Sequence, residues 1–477
     1  MRKFLAVLAS MMLVLGFAAS AFAVHADIPS ETQAVVAKGT TQITLGGSVR
    51  VRGEIRDNTT TFGDDDLIAG DDHQSYYDQR VRLRIQADVS KNTTGVIHLE
   101  NGSVTSSDYT WGTVPGENLG SFDVRGIGNR KLDAFTILEA WIQHKGAGLL
   151  GVPAGFKVGH MPVKLGYGLF YDHSKFGDDA INLFIDPMKD LHVELLHAKL
   201  SEGYNTGTNG FTNTNFLSND GDLYSLLLNY NISKDSMIGA DVSYLDVQNT
   251  SQSTDASFGA AARDYHLWNF GVRAQTNIAG FGIRLDGEYQ LGEIDNVTGI
   301  ADDYKAYAFL AGIDYTLAPV KLSLEFAYGS GDDDDDDDIE TFQTLQSGIQ
   351  KYTYVYDYRT VTAAGRANTG IANTWYIKAG ASADIMKDLN ALVNVYYLRA
   401  VKDASVDLNP RTDQTALTEG DSKNIGVEVD GKVTYKIDRN LVYWVEGGYL
   451  FAGSFFDRTG QSADDAYAVR HGIELSF

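Results

Sequence analysis

Residues 465–477 read Asp-Ala-Tyr-Ala-Val-Arg-His-Gly-Ile-Glu-Leu-Ser-Phe. Extended, this stretch puts Tyr467, Val469, His471, Ile473, Leu475 and Phe477 on one face, because side chains alternate across a strand. Ala466, Ala468, Arg470, Gly472, Glu474 and Ser476 fall on the other. One face is apolar and aromatic, the other small or polar. A strand showing that much apolar surface aggregates unless it pairs and covers the face.

The period-two pattern recurs along the chain. Ile43, Leu45, Val49, Val51 and Ile55 alternate with Thr44, Ser48, Arg50, Arg52, Glu54 and Arg56. Val81, Leu83, Ile85, Ala87 and Val89 alternate with Arg80, Arg82, Arg84, Gln86 and Asp88. Residues 281–289 and 320–326 repeat the texture. We count about 18 segments of roughly ten residues, the length a tilted strand needs to cross a bilayer. Setting aside the two least regular, near 156–163 and 181–185, leaves about 16.

Short turns fall near 145–155, 186–190, 233–235, 279–280, 318–319, 386–388 and 438–440. Long polar loops fall near 102–130, 164–179, 201–220, 248–263, 292–303, 330–370, 402–421 and 452–464. This rhythm predicts an all-β fold: a transmembrane antiparallel β-barrel with short periplasmic turns and long extracellular loops. A secreted β-sandwich is the rival, since alternation does not say which face meets water. Strand length, the loop rhythm and the final aromatic favour the barrel. Tyr76, Tyr77, Trp268, Tyr304, Trp375 and Tyr443, near strand ends, are expected in interfacial girdles.

Composition narrows the classes. A length of 477 residues allows two or three soluble domains or one large barrel. Met1-Arg2-Lys3, an apolar run over 4–19 and Ala21-Phe22-Ala23 predict a signal peptide over residues 1–23, with cleavage after 26 as the alternative. Residues 24–40 then form a short periplasmic segment without period, and 41–477 the barrel. No later stretch offers the ~18 consecutive apolar residues of a spanning helix, which excludes a helical inner-membrane protein. The chain has no cysteine, ruling out disulfides and the Cys-x-x-Cys-His of attached haem. A net charge of -24 disfavours nucleic acid as a partner and attracts cations. Seven prolines against 49 glycines suit long strands better than linker-joined domains.

Residues 465–477 resemble the C-terminal aromatic assembly signal of Gram-negative outer-membrane barrels. The resemblance implies that Phe477 is read by the barrel assembly machinery and that the last strand closes on the first. If the apolar face meets outer-membrane lipid, the polar face lines the lumen, because charge facing hydrocarbon is costly. Arg50, Arg52, Glu54, Arg56, Arg80, Arg82, Arg84 and Asp88 then line the wall. This resembles general porins, in which a basic ladder faces an acidic loop across the constriction. Six guanidinium groups so close repel, and Glu54, Asp88 and carboxylates of an inward loop are their expected partners. Local pairing that merely solvates a wide lumen is the alternative.

The inward loop is either 102–130 or 164–179, the second contributing Asp172 to the constriction. Residues 157–172, Lys-Val-Gly-His-Met-Pro-Val-Lys-Leu-Gly-Tyr-Gly-Leu-Phe-Tyr-Asp, are similar to a segment of the alginate-exporter type of porin. That resemblance implies an 18-stranded barrel. The family has Gly-Arg-Gln where Gly159-His160-Met161 stand, and a further Arg where Leu169-Phe170 stand. Two inward positive groups of an anionic-polysaccharide pathway are therefore missing.

The run Asp332, Asp333, Asp334, Asp335, Asp336, Asp337 and Asp338 is a candidate for calcium or magnesium, which take oxygen ligands. It lacks the glycine and glutamate of an EF-hand, and a solvated loop that enriches cations is the reading we favour. The ten histidines show no metal-ligand spacing, and no cofactor is implied. The sequence thus predicts an outer-membrane porin: a channel for passive diffusion of small hydrophilic solutes or ions, and not an enzyme. The alternatives are a barrel sheath around an electron-transfer conduit, or an outer-membrane hydrolase. Association as a homo-oligomer is left open.

Overall fold

The period-two segments fold as strands, each hydrogen-bonded on both sides. This computed structural model describes residues 34–38, 41–59, 62, 73–101, 109–110, 135–148, 151–201, 220–247, 264–295, 301–332, 338–345, 352–359, 370–403, 422–457 and 462–477. The first strands are β1 (Ala34–Lys38), β2 (Thr41–Asp57), β3 (Gln74–Ser90), β4 (Thr93–Asn101) and β5 (Tyr109–Thr110). Next come β6 (Phe135–Gly146), β7 (Ala154–Met161), β8 (Asp178–Met188), β9 (Leu191–Ser201) and β10 (Gly221–Ser233). They are followed by β11 (Ser236–Val247), β12 (Asp264–Ile278), β13 (Phe281–Asp295), β14 (Ala301–Leu317) and β15 (Val320–Gly329). The last are β16 (Thr374–Met386), β17 (Leu389–Ala400), β18 (Asn424–Asp438), β19 (Leu441–Ala452) and β20 (Ala466–Ser476).

Pairing is antiparallel throughout, and β20 returns to β2, which closes the sheet. β1 and β5 only lengthen the edges of β2 and β3, so eighteen strands form the barrel among the described residues. β7 and β8 are the two least regular segments, and both are barrel strands. The larger strand number holds. No helix among the described residues is long and apolar enough to cross a membrane.

Closure needs close contact at the C-terminus. Phe477 N–H donates to Gly47 O at 2.9 Å, and Gly47 N–H donates to Phe477 O at 2.7 Å. A Cβ on Gly47 would meet Arg82 O at 2.5 Å and the Phe477 ring at 2.9 Å, so only glycine fits. Below this point β1 pairs with residues 41–45 of β2, continuing the line of β20. The segment expected to lack periodic structure therefore supplies a strand, because the lower edge of β2 needs hydrogen-bond partners.

The outer face is apolar, with Ile55, Leu195, Val272 and Ile473 among its exposed side chains. Trp268 and Trp375 join aromatic rows there, 4.7 Å from Tyr244 and 5.7 Å from Tyr397 between centroids. Tyr77 and Tyr443 also face out, both against His471. Two expected girdle residues do not. Tyr304 is 2% exposed and donates its hydroxyl to Thr341 O, because its place on the β14 pleat turns it inward. Tyr76 shares the inward face of β3 with Asp78 and Arg80. The fully buried aromatics Phe170, Tyr171, Phe342 and Tyr356 lie inside the barrel, where two loops fold into the lumen.

Candidate functional site

The first inward loop joins β7 to β8. Gly166 and Gly168 take positive φ, 55° and 92°, and Gly168 N–H donates to Leu165 O at 2.9 Å, turning the chain back on itself. The tip reaches the far wall, where Tyr167 N–H donates to Asp286 Oδ2 at 3.1 Å and its hydroxyl to Gln275 at 3.0 Å. Burial, then the neighbouring Asp286, raise the Tyr167 phenol above its ordinary value. Asp172, 3% exposed, binds Lys164 Nζ at 2.7 Å and accepts from Ser174 Oγ at 2.6 Å. Of the two candidate loops, this one folds inward; 102–130 lies outside the described residues except for β5.

A second inward loop, joining β15 to β16, was not expected. Leu345 N–H donates to Phe170 O at 2.7 Å, joining it to the first loop. Residues 352–359 then cross the wall, ending in a one-turn helix, α1 (Tyr356–Arg359). Tyr352 stacks on Tyr376 of β16 at 4.9 Å. Arg359 donates to Glu54 Oε2 of β2 at 2.6 Å. Arg470 of β20 donates to the Tyr358 hydroxyl at 3.3 Å, and Arg359 Cζ lies 3.4 Å from the Tyr358 ring centroid. Burial alone would raise this phenol, but Arg359, Arg470 and Arg52 outweigh it and hold it down to about 6. The sequence signal was Tyr-Thr-Tyr-Val-Tyr-Asp-Tyr-Arg over 352–359, aromatic at every second position in a loop.

The arginines of β2 and β3 lie on the inner face and pair mostly across adjacent strands. Arg52 Nε donates to Asp78 at 2.6 Å, and Arg50 lies 3.8 Å from the same carboxylate. Arg82 binds Glu100, and Arg80 approaches Glu474 at 3.3 Å and Glu100 at 3.8 Å. Arg84 donates to Gln86 at 2.9 Å and approaches Glu139 at 3.9 Å. Arg56 donates to Gln74 at 3.0 Å, nearer the outer end of β2. Asp88 is not an arginine partner: it accepts from Thr94 at 2.7 Å and from Gln86 at the lower end of β3. Glu54, 1% exposed, serves Arg359 of the second loop.

The opposite wall is acidic. Asp241, Asp286 and Glu288 of β11 and β13 face inward around one guanidinium, Arg273, which binds Asp241 at 2.5 Å and Asn229 at 2.9 Å. β2 and β12 are the first and tenth barrel strands, so nine steps separate them either way round. The basic and acidic walls are therefore diametrically opposed. This second wall was readable in the alternation of 281–289, where Arg284, Asp286 and Glu288 share a face.

Between the first loop and the wall from β13 to β17 lies a cavity of about 760 Å³. Lys164, Arg284, Lys321 and Lys378 line it with Asp172, Asp314 and Glu325. Glu325 serves both Arg284 and Lys378, the latter at 2.7 Å, so cations outnumber carboxylates by one. At the positions that depart from the exporter pattern, Met161 and Phe170 are buried among apolar side chains, and Leu169 presents an apolar side chain to the cavity. Of the aspartate run, Asp338 binds Lys305, and 333–337 lie outside the described residues. No group of three His, Asp or Glu residues is placed to hold a metal among the described residues.

A closed eighteen-stranded barrel with an apolar exterior and a charged interior narrowed by its own loops is an outer-membrane channel. The family described as alginate export matches residues 224–470, just over half of the sequence, and the chain belongs to that family. Its fold is similar to that of the outer membrane protein OprD of Pseudomonas aeruginosa, with TM-score 0.51, 11% identity, and 91% of this chain and 93% of that one covered. OccK9 (OpdG) of P. aeruginosa and OccAB2 of Acinetobacter baumannii each give TM-score 0.53 at 12% identity, covering 91% of this chain and 98% of theirs. At such identities the likeness is one of fold. Among curated proteins none matches the sequence.

Proposed function

We propose that the chain is a passive diffusion channel for small hydrophilic solutes, sorted by size at the inward loops and by charge between the opposed walls. The observation that carries this reading is the charged cavity between residues 164–174 and the wall from β13 to β17. Solutes there exchange water contacts for alternating charged and hydroxyl groups, so no single site holds them tightly enough to block passage. Loops filling the lumen leave little room for a separate haem protein, which speaks against a conduit sheath. Single-channel recording in planar bilayers tests the reading. Ohmic steps that persist with neutral sugars present are expected; absence of steps from correctly assembled protein overturns it.

The extra cation at Arg284 and Lys378 supports a second reading, an anionic sugar polymer as cargo, in line with the family's description. The apolar packing of Leu169 and Phe170 weighs against it. Uronate oligomers added on one side distinguish the two. Concentration-dependent block favours the polymer, and an unaltered current favours small solutes.

A further inference from the structure

Residues 352–359 cross the inner face from β16 to β2, and the centre of this plug rests on two carboxylates of β18. Val355 N–H donates to Glu428 Oε1 at 2.6 Å, and Tyr356 N–H to Glu428 Oε2 at 2.8 Å. Tyr354 N–H donates to Asp430 Oδ2 at 3.0 Å. Both oxygens of Glu428 therefore accept main-chain N–H groups. A proton on either oxygen would set O–H against N–H, leaving a buried donor without its acceptor. Glu428 and Asp430 also lie two residues apart on one face, 0% and 8% exposed, where two negative charges disfavour each other.

The groups around this seat do not neutralise it directly. Tyr396 and Asn394 of β17 stand opposite the pair on one side, Leu450 and Gly448 of β19 on the other. Lys378 of β16 is bound to Glu325, and Lys432 of β18 is bound to Glu446 of β19 at 2.8 Å. From the plug, Tyr352, Tyr354 and Tyr356 face the wall, and Asp357 accepts from Tyr352 N–H at 3.2 Å. The far end has a different attachment, the Arg359–Glu54 ion pair.

We propose that residues 352–359 are an acid-released plug: protonation of the Glu428–Asp430 pair breaks their main-chain seat and widens the channel. The Arg359–Glu54 pair tethers the released segment. Tyr352, Tyr376 and Tyr396 border the cavity, so release enlarges the path directly. This inference rests on the channel reading above.

The test measures the largest neutral polyethylene glycol that enters the full-length protein in planar bilayers, in concentrated salt, at about pH 8 and about pH 4.5. Neutral probes report width and not charge. Wild type should admit larger polymers in acid, with conductance rising by about two-fold. Glu428→Gln turns an amide N–H toward a main-chain N–H as the protonated acid turns its O–H, so it should be wide at both pH values. Asp286→Asn, at the seat of the other inward loop, should keep the acid response. An unchanged size limit in conducting wild type overturns the plug, as does a Glu428→Gln protein responding like wild type. Loss of the response in Asp286→Asn overturns it too, by assigning the gate to the other loop. If Glu428→Gln fails to assemble, Glu428→Ala, which removes both acceptors, replaces it, with a wider limit expected at neutral pH and an unchanged one counting against the plug. A protein that never conducts removes the channel reading and the plug with it.

Discussion

The wall formed by β20, β2 and β3 and the wall formed by β11, β12 and β13 share one strand texture and treat charge in opposite ways. On the first, arginines interleave with Asp78, Glu100, Glu446 and Glu474 on neighbouring strands, and the plug adds Arg359 against Glu54. On the second, three carboxylates share one arginine, and the loop that reaches them offers a neutral main-chain N–H from Tyr167. Ion pairs satisfied within the wall fix a loop by shape and salt bridge. Carboxylates left in excess fix a loop by accepting its main-chain hydrogen bonds. The lumen is thus polarised across its width: both loops rest main-chain N–H groups on wall carboxylates, Asp286 for the first and Glu428 and Asp430 for the second, and the second adds an ion pair to Glu54 on the arginine-rich wall.

The largest expected effect breaks the first wall at its seam. Phe477→Asp should abolish most surface expression, while Ser476→Ala leaves it near normal, read by surface labelling and by heat-dependent gel mobility. Charge on the lipid face costs ~2–4 kcal/mol at mid-bilayer and ~0–1 near an interface, so most of the loss must come from failed assembly. Near-normal levels of Phe477→Asp would remove the seam's special status.

Next in size is a contrast between the walls. Arg359→Ala takes from buried Glu54 its hydrogen-bonded guanidinium and leaves only the more distant Arg470 and Arg52, a loss of as much as about 3 kcal/mol, offset if the plug departs. Denaturant unfolding should show a lower midpoint, and recordings a wider pore. Asp286→Asn keeps an acceptor for Tyr167 and relieves crowding, so its midpoint should stay close to that of wild type. Equal midpoints for the two variants would mean the walls do not differ as described.

A smaller effect sharpens the electrostatic contrast. Replacing Arg80, Arg82 and Arg84 by glutamine leaves the acidic wall unopposed, and reversal potentials in a salt gradient should move toward cation preference. No shift at any ionic strength would place these side chains off the conducting path.

The Tyr358 phenol gives a pH dependence of defined sign. Its value is about 6 in the folded protein against about 10 in the unfolded chain. The folded state therefore binds fewer protons between those limits, and the contribution to stability grows as pH rises. That contribution is complete above about 10 and is lost as pH falls through about 6. Tyrosinate absorbance should show one phenol titrating near neutrality that Tyr358→Phe removes; a tyrosinate signal unchanged by that substitution argues against the arginine cage.

The smallest effect belongs to the aspartate run. Trimming residues 332–338 should lower cation enrichment only in dilute salt, because the screening length is ~30 Å at 0.01 M and ~8 Å at physiological strength. An equal change in conductance at high salt would instead bring the aspartates to the constriction.

The closing role of the final strand came from its resemblance to the outer-membrane assembly signal, whereas alternation along β2, β3 and β20, read with strand length and loop rhythm, gave the barrel, its lipid-facing side and the inward arginines. These follow from a pleat of period two and from the cost of exposing charge to hydrocarbon, both local in sequence. The first inward loop was legible only as one of two candidates. The sequence did not show that Asp88 lies away from the arginines, that Tyr304 turns inward, or that the acidic wall stands opposite the basic one. Nor did it reveal the seat of residues 352–359 on Glu428. Those facts depend on which strands meet across the lumen and where a loop lands. Closure decides them, because it brings side chains hundreds of residues apart within hydrogen-bond distance, as Glu54 and Arg359 are.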